Sequence, residues 1–401
     1  MSLASFFTKN GNKNKFKKCA LLVDIGSASV TVALVLLENT VSNIIATATT
    51  DIAILSDLTY DRFEKEMQKA LVASLGKILK NTTVPLDRIN VCLASPWYAS
   101  QVRTAKLVRL ASFPVSKSIL DDMIKRELKS FQEEEVKSKN LAGDAVRGIE
   151  SQTIRARLNG YETHQPIGLT AKELELTIFL SVASESTLKN IEEIISRVYA
   201  APIMFSSFLS MTYLVARDFF PTQENYILLD VGGEVTDISL VKENGLQQSF
   251  SFPLGKNFIL RRLSEGLKRS IAESETLWAL HLEGKTDGAV RDACSRILLL
   301  ARNEWQTEFQ KALYVASKDL SIPDLILLTV DDDVAVWFSD TIKDEQFHQS
   351  TLVGKEFKIL FMNGSLFNSS LSFGAKASRD ASIMIETIGM RYLFAANIGA
   401  E

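Results

Sequence analysis

Residues 19–37, which read CALLVDIGSASVTVALVLL, carry the pattern that decides the fold. An unbroken apolar run enters a polar turn at Gly26 and continues as a strand with alternating apolar residues. A short apolar run of this kind predicts a buried strand, and glycine permits the tight turn because it has no side chain. The stretch therefore predicts a strand, a turn and a second strand, with Asp24 near the end of the first strand.

A second copy of this pattern lies in the other half of the chain. Residues 23–35 read VDIGSASVTVALV, and residues 229–241 read LDVGGEVTDISLV. Both contain an apolar run, an aspartate, a glycine turn and an alternating strand, in the same order. A duplicated α/β architecture, in which each half contributes one hairpin, accounts for this internal repeat.

The two turns have the composition of phosphate-binding turns. Glycine lets backbone N–H groups approach a phosphate closely, and consecutive N–H groups in a turn form an anion-binding nest. A single Asp-x-Gly turn is typical of an ordinary hairpin, but two in the same order favour phosphate binding. The candidate residues are Gly26, Ser27 and Ser29 in the first turn, and Gly232, Gly233 and Thr236 in the second.

Aspartates next to these turns are candidates for binding a metal ion. Asp24 and Asp230 come at the strand ends, where a carboxylate repels phosphate but can hold Mg²⁺ through water. That ion keeps several waters and uses one or two carboxylates. Asp237 is a further candidate for orienting water or metal.

The stretch between the two hairpins has a different character. Over residues 107–205 the apolar pattern predicts a strand, a helix, two strands and a second helix. This order is typical of a small α+β module with one face of its sheet covered by helices.

The paired turns resemble the two phosphate loops of the actin, Hsp70 and sugar-kinase superfamily, and residues 228–241 are similar to the DIGGGTTDI pattern of its bacterial branch. The inserted module resembles the SHS2-type subdomain of FtsA, the cell-division actin homologue, and of PilM, its type IV pilus relative. That likeness is carried by residues 157–195, RLNGYETHQPIGLTAKELELTIFLSVASESTLKNIEEII. After the second loop, residues 252–263, FPLGKNFILRRL, resemble the family's P-x-G-G-N-x-I-T segment.

The resemblance implies a two-lobed actin-like ATPase fold of the α/β class, with duplicated ribonuclease H-like lobes and an inserted SHS2-like subdomain. The expected divisions are a basic leader at 1–18, a first lobe at 19–105, the insert at 106–205, a second lobe at 206–345 with a helical subdomain at 258–320, and C-terminal strands with a closing helix at 346–401.

The resemblance also implies ATP with Mg²⁺ as the ligand, but several motif positions differ. Glu234 and Val235 stand where a glycine and a threonine are usual, so we expect a negative charge beside the phosphates. Lys256 replaces a second glycine. The adenine-side candidates are Glu275, which can bond a ribose hydroxyl, and Thr329, which is followed by Val330, Asp331 and Asp332 instead of glycines.

These departures bear on catalysis. No residue stands out to activate an attacking water, so we assign no catalytic residue and expect at most a slow ATPase. A pseudo-ATPase that keeps the fold and loses the ligand stays open. We expect a cytoplasmic scaffold of the FtsA type that links the division machinery, with an FtsZ-like filament as partner, to the inner membrane. The alternatives are a PilM-like pilus platform component that binds a membrane-protein peptide, and a genuine ATPase or small-molecule kinase.

The bulk composition narrows the partners. A formal net charge of −3 gives no basic excess for nucleic-acid binding. The three cysteines lack CxxC spacing, which disfavours a zinc site. Residues 1–18 combine two phenylalanines with a run of lysines, so this leader is either a solvated tail or a weak anchor at the inner face of the membrane. Self-association also stays open.

Overall fold

The computed structural model describes residues 17–55, 58–79, 85–138, 145–318, 321–343 and 356–398. Most of the predicted leader, residues 1–16, lies outside the described residues. The strands are β1 (Lys17–Ile25), β2 (Ser29–Glu38), β3 (Ser42–Asp51), β4 (Arg88–Leu93), β5 (Ala99–Pro114), β6 (Val146–Leu158), β7 (Tyr161–Glu162), β8 (Thr170–Ser184), β9 (Ile203–Ser207), β10 (Tyr226–Val231), β11 (Thr236–Lys242), β12 (Gly245–Phe252), β13 (Leu325–Val330), β14 (Lys358–Phe361) and β15 (Leu371–Lys376).

The helices that accompany these strands cover the faces of the sheets. They are α1 (Tyr60–Leu79), α2 (Lys117–Ser138), α3 (Glu185–Ser196), α4 (Phe208–Phe219), α5 (Lys256–Leu267), α6 (Ile271–Leu282), α7 (Gly288–Ser317), α8 (Ala335–Lys343), α9 (Gly364–Phe367) and α10 (Ala381–Ile398). None of the helices in the described part of the chain combines the length and the apolar character needed to cross a bilayer.

Two of the sheets repeat one topology. The first has the order β15-β3-β2-β1-β4-β9, and the second has the order β12-β11-β10-β13-β14. In each, the first strand pairs antiparallel with the strand after its turn and parallel with a later strand. The predicted duplication is therefore confirmed, and each lobe places its hairpin turn at the end of a central strand.

The insert forms a separate sheet with its own core. Its order is β5-β8-β6-β7, with antiparallel pairing throughout. Helix α2 covers one face, where Met123 and Phe131 pack against Leu176 and Ile178. Helix α3 lies instead in the core of the first lobe, and β9 belongs to the first lobe's sheet. Strands β5 to β8 and helix α2 therefore pack together, whereas α3 and β9 pack with the first lobe.

The C-terminal segment divides between the lobes. Strand β14 pairs with β13 in the second lobe, whereas β15 pairs with β3 in the first. Helix α10 is buried in the first lobe's core through Ile383, Ile385 and Ile388. The closing helix therefore returns to the lobe in which the chain began.

Glu150 on β6 joins the insert to the first lobe. Its carboxylate accepts hydrogen bonds from the Ser207 hydroxyl at 2.8 Å and from the Ser207 backbone N–H at 3.4 Å. The Ser210 hydroxyl and a side-chain N–H of Gln152 also donate to it. Because Ser207 caps α4, the insert supplies a negative group to the N-terminus of a first-lobe helix, where such a charge is favourable.

Candidate functional site

The two turns predicted to bind phosphate have the same local geometry. The Gly26 N–H donates to the Ser29 carbonyl at 3.1 Å, and the Gly232 N–H donates to the Val235 carbonyl at 3.0 Å. Trp97 supports the first turn, because its indole N–H donates to the Gly26 carbonyl at 2.7 Å. The repeat seen in the sequence is thus a repeat of backbone hydrogen bonding.

A cleft of about 390 Å³ is lined by residues of both turns. The predicted site residues that line it are Asp24, Gly26, Ser27, Ser29, Asp230, Gly232, Gly233, Asp237 and Thr329. The topology explains the convergence, since Asp230 pairs with Asp237 on one neighbouring strand and with Thr329 on the other.

Two predicted site residues do not line this cleft. The Thr236 hydroxyl is turned into the second lobe, where it donates to the Leu254 carbonyl at 2.7 Å and lies 3.2 Å from the Trp305 indole nitrogen. Glu275 is exposed on α6. Their proposed roles, a hydroxyl donor and a ribose contact, have no support from this geometry.

The two turns are in direct contact with each other. A Cβ atom at Gly233 would lie 2.7 Å from the Ala28 backbone nitrogen, so only glycine fits this approach. The Glu234 N–H donates to the Ser27 hydroxyl at 3.0 Å. A donor that a phosphate oxygen could use is therefore already paired within the protein.

Glu234 does not point toward the expected phosphate position. Its carboxylate accepts from the Asn257 amide at 2.8 Å and from the Arg261 guanidinium at 2.6 Å. The residue is only 5% exposed. The expected negative charge of Glu234 is thus paired, because neighbouring helix α5 supplies a cation and an amide to its carboxylate.

Carboxylates dominate the cleft. Asp331, Asp332 and Asp380 line it in addition to the predicted aspartates, and Arg379 is the one lysine or arginine among the described lining residues. Burial raises the pKa of Asp24 to about 8, with a further increase from the negative charge of Asp380. Burial likewise raises the pKa of Asp230, and the charge of Asp237 adds to it.

Glu386 is a site residue that sequence reasoning missed. It is fully buried on α10, and burial raises its pKa well above the ordinary value, with the negative charge of Asp24 as the next cause. Cys92 lies beside both carboxyls, and burial raises the pKa of its thiol. The signal in the sequence was a single acid within the apolar run of this helix.

A group of ion pairs lies at the side of the cleft where adenine is expected. Lys256 lies 2.7 Å from an Asp333 oxygen and 3.3 Å from an Asp331 oxygen. Thr329 is 4% exposed, and its hydroxyl has no hydrogen-bond partner in the part of the chain that the structure describes. Lysine and aspartate side chains thus stand where the related motif has flexible glycines.

The fit to Mg-ATP is incomplete. Asp24 and Asp230 both line the cleft and offer the oxygen ligands that Mg²⁺ prefers. Among the described residues, however, no group of three or more His, Cys, Asp or Glu side chains is arranged to hold a metal ion. A magnesium ion that keeps its waters needs only one or two carboxylates, so Asp24 and Asp230 suffice for it. The residues present therefore fit Mg-ATP in part, because Asp331 and Asp332 stand where the related motif has glycines.

Comparisons with known proteins bear on the fold. No family model matches the chain, and no curated protein matches it. Among solved structures, the chain is similar to a PilM–PilN type IV pilus biogenesis complex, with 14% identity, coverage of 95% of this chain and 96% of that chain, and a TM-score of 0.56. It is also similar to MreB5 of Spiroplasma citri bound to ADP, with 9% identity, coverage of 96% and 99%, and a TM-score of 0.44.

A further similarity is to the ethanolamine utilization protein EutJ from Carboxydothermus hydrogenoformans, with 11% identity, coverage of 96% of this chain and 93% of that chain, and a TM-score of 0.41. The duplicated topology agrees with the sequence expectation. The match to the pilus complex agrees with it too, because it covers nearly all of this chain and nearly all of the matched chain. The chain has the two-lobed, actin-like ATPase fold.

The raised pKa of Asp24 predicts a pH-dependent stability. A carboxyl that is protonated in the folded state stabilises the fold fully below its unfolded pKa, and this contribution is lost as the pH rises toward about 8. We expect Asp24→Asn to raise the free energy of unfolding at about pH 9 by on the order of 2 kcal/mol, with a smaller increase at about pH 5.

Urea unfolding in metal-free buffer measures this difference. Asp122→Asn is the matched control, because Asp122 is exposed on α2, and it should have no pH-dependent effect. An Asp24→Asn protein that is equally or less stable than the wild type at both pH values would contradict the description of this cleft.

Proposed function

We propose that this chain is an actin-like scaffold protein whose closed state does not require a nucleotide. The observation that carries the proposal is the direct contact between the turns of the two lobes, with Gly233 against Ala28 and the Glu234 N–H on the Ser27 hydroxyl. A protein that closes its own cleft presents a constant surface to partners without a cycle of binding and hydrolysis.

Other contacts between the lobes support this reading. The Ser95 hydroxyl, which follows β4 in the first lobe, donates to the Asp237 carboxylate of the second lobe at 3.0 Å. The Arg155 guanidinium of the insert donates to the Glu243 carbonyl in the β11–β12 turn at 3.0 Å. The Tyr213 hydroxyl of α4 donates to the neighbouring Asn244 carbonyl at 2.7 Å. First lobe, second lobe and insert are thus joined by hydrogen bonds of the chain itself.

The partner that we propose is a membrane-associated protein assembly. An assembly of the type IV pilus kind is favoured, because the likeness to a PilM–PilN complex covers nearly all of this chain and of the matched chain. The partner would then be a peptide of a pilus membrane protein. The division type, with an FtsZ-like filament as partner, rests on the resemblance of residues 157–195 to FtsA. A role at the inner face of the membrane through residues 1–18 belongs to either proposal.

An ATPase or kinase activity is the least supported alternative. Phosphate transfer depends on positioning the phosphates and neutralising their charge. The cleft offers many carboxylates and one arginine among its described lining residues. Weak binding and slow turnover are therefore the expected behaviour.

Calorimetry with Mg-ATP tests the nucleotide part of this proposal. We expect a dissociation constant of about a micromolar or weaker, and no hydrolysis beyond that of a buffer control, because acidic side chains replace glycines of the related motifs. Asp230→Ala should change this weak affinity little if the metal position is unused. Nanomolar binding with rapid turnover would contradict a nucleotide-independent scaffold.

Deletion of the gene in the source organism tests whether the protein serves a pilus assembly or a division assembly. Loss of surface pili with normal cell length supports the pilus type, and filamentous cells with normal pili support the division type. Complementation by the full chain is the control for both phenotypes. Cells that keep both pili and normal division would contradict a scaffold role in either machine.

A further inference from the structure

Strand β6 of the insert carries two side chains that contact different lobes. Glu150 accepts from the hydroxyl of Ser207, which caps a helix of the first lobe, at 2.8 Å. Arg155 donates to the Glu243 carbonyl of the second lobe at 3.0 Å. Successive side chains of a regular strand point to opposite faces, so residues five positions apart would face opposite ways. An irregularity in β6 must therefore turn both side chains toward the lobes.

A β-bulge at Ile154 provides this irregularity. The register with β8 shifts there, and Ile154 is passed over in the pairing. As a result, Glu150 lies opposite Ser181 and Arg155 lies opposite Thr177. These two β8 residues are an even number of positions apart, so they share one face of the sheet, and the apolar residues between them form the insert's own core on the other face. Bulges commonly re-aim a side chain in this way.

Arg155 is held from both sides of the boundary between the insert and the second lobe. Its side chain is 11% exposed, and its Nε atom lies 3.3 Å from a carboxylate oxygen of Glu162 in the insert. Its Nη2 donates to the Glu243 carbonyl, and its Nη1 lies 3.3 Å from the carboxylate of the same residue. Because that carboxylate is largely exposed, the ion pair contributes little, and the bond to the carbonyl is the main contact. The rigid fork of a guanidinium suits such a shared position.

The turn that Arg155 contacts lies beside a connection between the lobes. Residues 220–225 lead from α4 in the first lobe to β10 in the second. The side-chain oxygen of Asn225 accepts from the Glu243 N–H at 3.2 Å, and the Glu224 carbonyl accepts from the Asn244 N–H at 3.0 Å. Rotation between two lobes takes place at the segments that connect them. The insert therefore contacts the second lobe next to such a segment.

Strand β11 links this turn to the cleft. The strand has 7 residues and ends at the turn, so it spans about 20 Å. Asp237, near its other end, lines the cleft. Hydrogen bonds join β11 to β10 and to β12 along its length, so the strand moves as part of one sheet. A rotation of the turn relative to the insert would therefore move one wall of the cleft.

We propose that the insert is a brace, formed by β6 with Glu150 and Arg155, that fixes the angle between the two lobes. Arg155 is the positioning residue through which it acts on the second lobe. A partner that draws the insert away from the β11–β12 turn would loosen the cleft, and a cleft ligand that rotates the second lobe would shift the insert. Linkage makes these two effects reciprocal. The brace goes beyond the scaffold proposal, because it concerns how the cleft is held and not which assembly the protein serves.

Pulsed electron paramagnetic resonance on the full chain tests the brace. Spin labels are placed on cysteines introduced at Asp51 in the first lobe, Asp122 in the insert and Thr307 in the second lobe, two at a time. All three positions are exposed, and the natural cysteines are buried. The three pairs report separately on the angle between the lobes and on the position of the insert against each lobe.

Arg155→Ala removes the contact with the second lobe, and Arg157→Ala is the matched control. Arg157 is the same type of residue on the same strand, but it lies 3.4 Å from Glu175 within the insert. The control therefore removes one arginine and one ion pair without changing a contact to either lobe.

The expected result differs among the three pairs. In Arg155→Ala, the width of the distance distribution should increase by about twofold or more for Asp122–Thr307 and for Asp51–Thr307. The width for Asp51–Asp122 should stay as in the wild type, because Glu150 still holds the insert to the first lobe. Arg157→Ala should leave all three distributions unchanged.

Either of two results overturns the brace. An unchanged distribution between the insert and the second lobe in Arg155→Ala means that Arg155 does not position the insert. A broader distribution for that pair, with an unchanged distribution between the lobes, means that the insert does not fix their angle. If circular dichroism shows Arg155→Ala unfolded, Arg155→Gln serves in its place, because it keeps a polar side chain while shortening its reach.

Discussion

The contact between the turns at Ser27–Ala28 and at Gly233–Glu234 is the constraint on which the rest of the arrangement depends. The turns come from different lobes, yet a Cβ at Gly233 would overlap the backbone of Ala28. Gly255, which begins helix α5, is packed as closely on the carbonyls of Gly232 and Gly233. The two turns and the N-terminal end of helix α5 therefore form one packed unit.

The carboxylates of the cleft follow from the same closure. An acid withdrawn from water favours its neutral form, and several acids that face one space raise each other's pKa values. Asp24, Asp230 and Glu386 are affected in this way, with burial as the largest cause in each. A metal ion that binds one of these acids must first displace its proton.

The sequence predicted the architecture well because the deciding signals are local. The runs around Asp24 and Asp230 specify two strands and a glycine turn from adjacent residues, and the fold follows from their repetition. Partners that are distant in the chain were not predicted. Nothing near Glu234 indicates that Arg261 will take its charge or that Leu55 will accept from the same guanidinium. Glu386 was missed for the same reason, since its neighbour Asp24 lies at the opposite end of the chain.

The central claim is that the lobes close without a nucleotide. Pulsed electron paramagnetic resonance between spin labels on cysteines introduced at Asp51 in the first lobe and Asp332 in the second measures this directly, because both positions are exposed and the natural cysteines are buried. The account predicts one narrow distance distribution that is the same with and without Mg-ATP. A broad or longer distribution without nucleotide, which shortens when Mg-ATP is added, would contradict it.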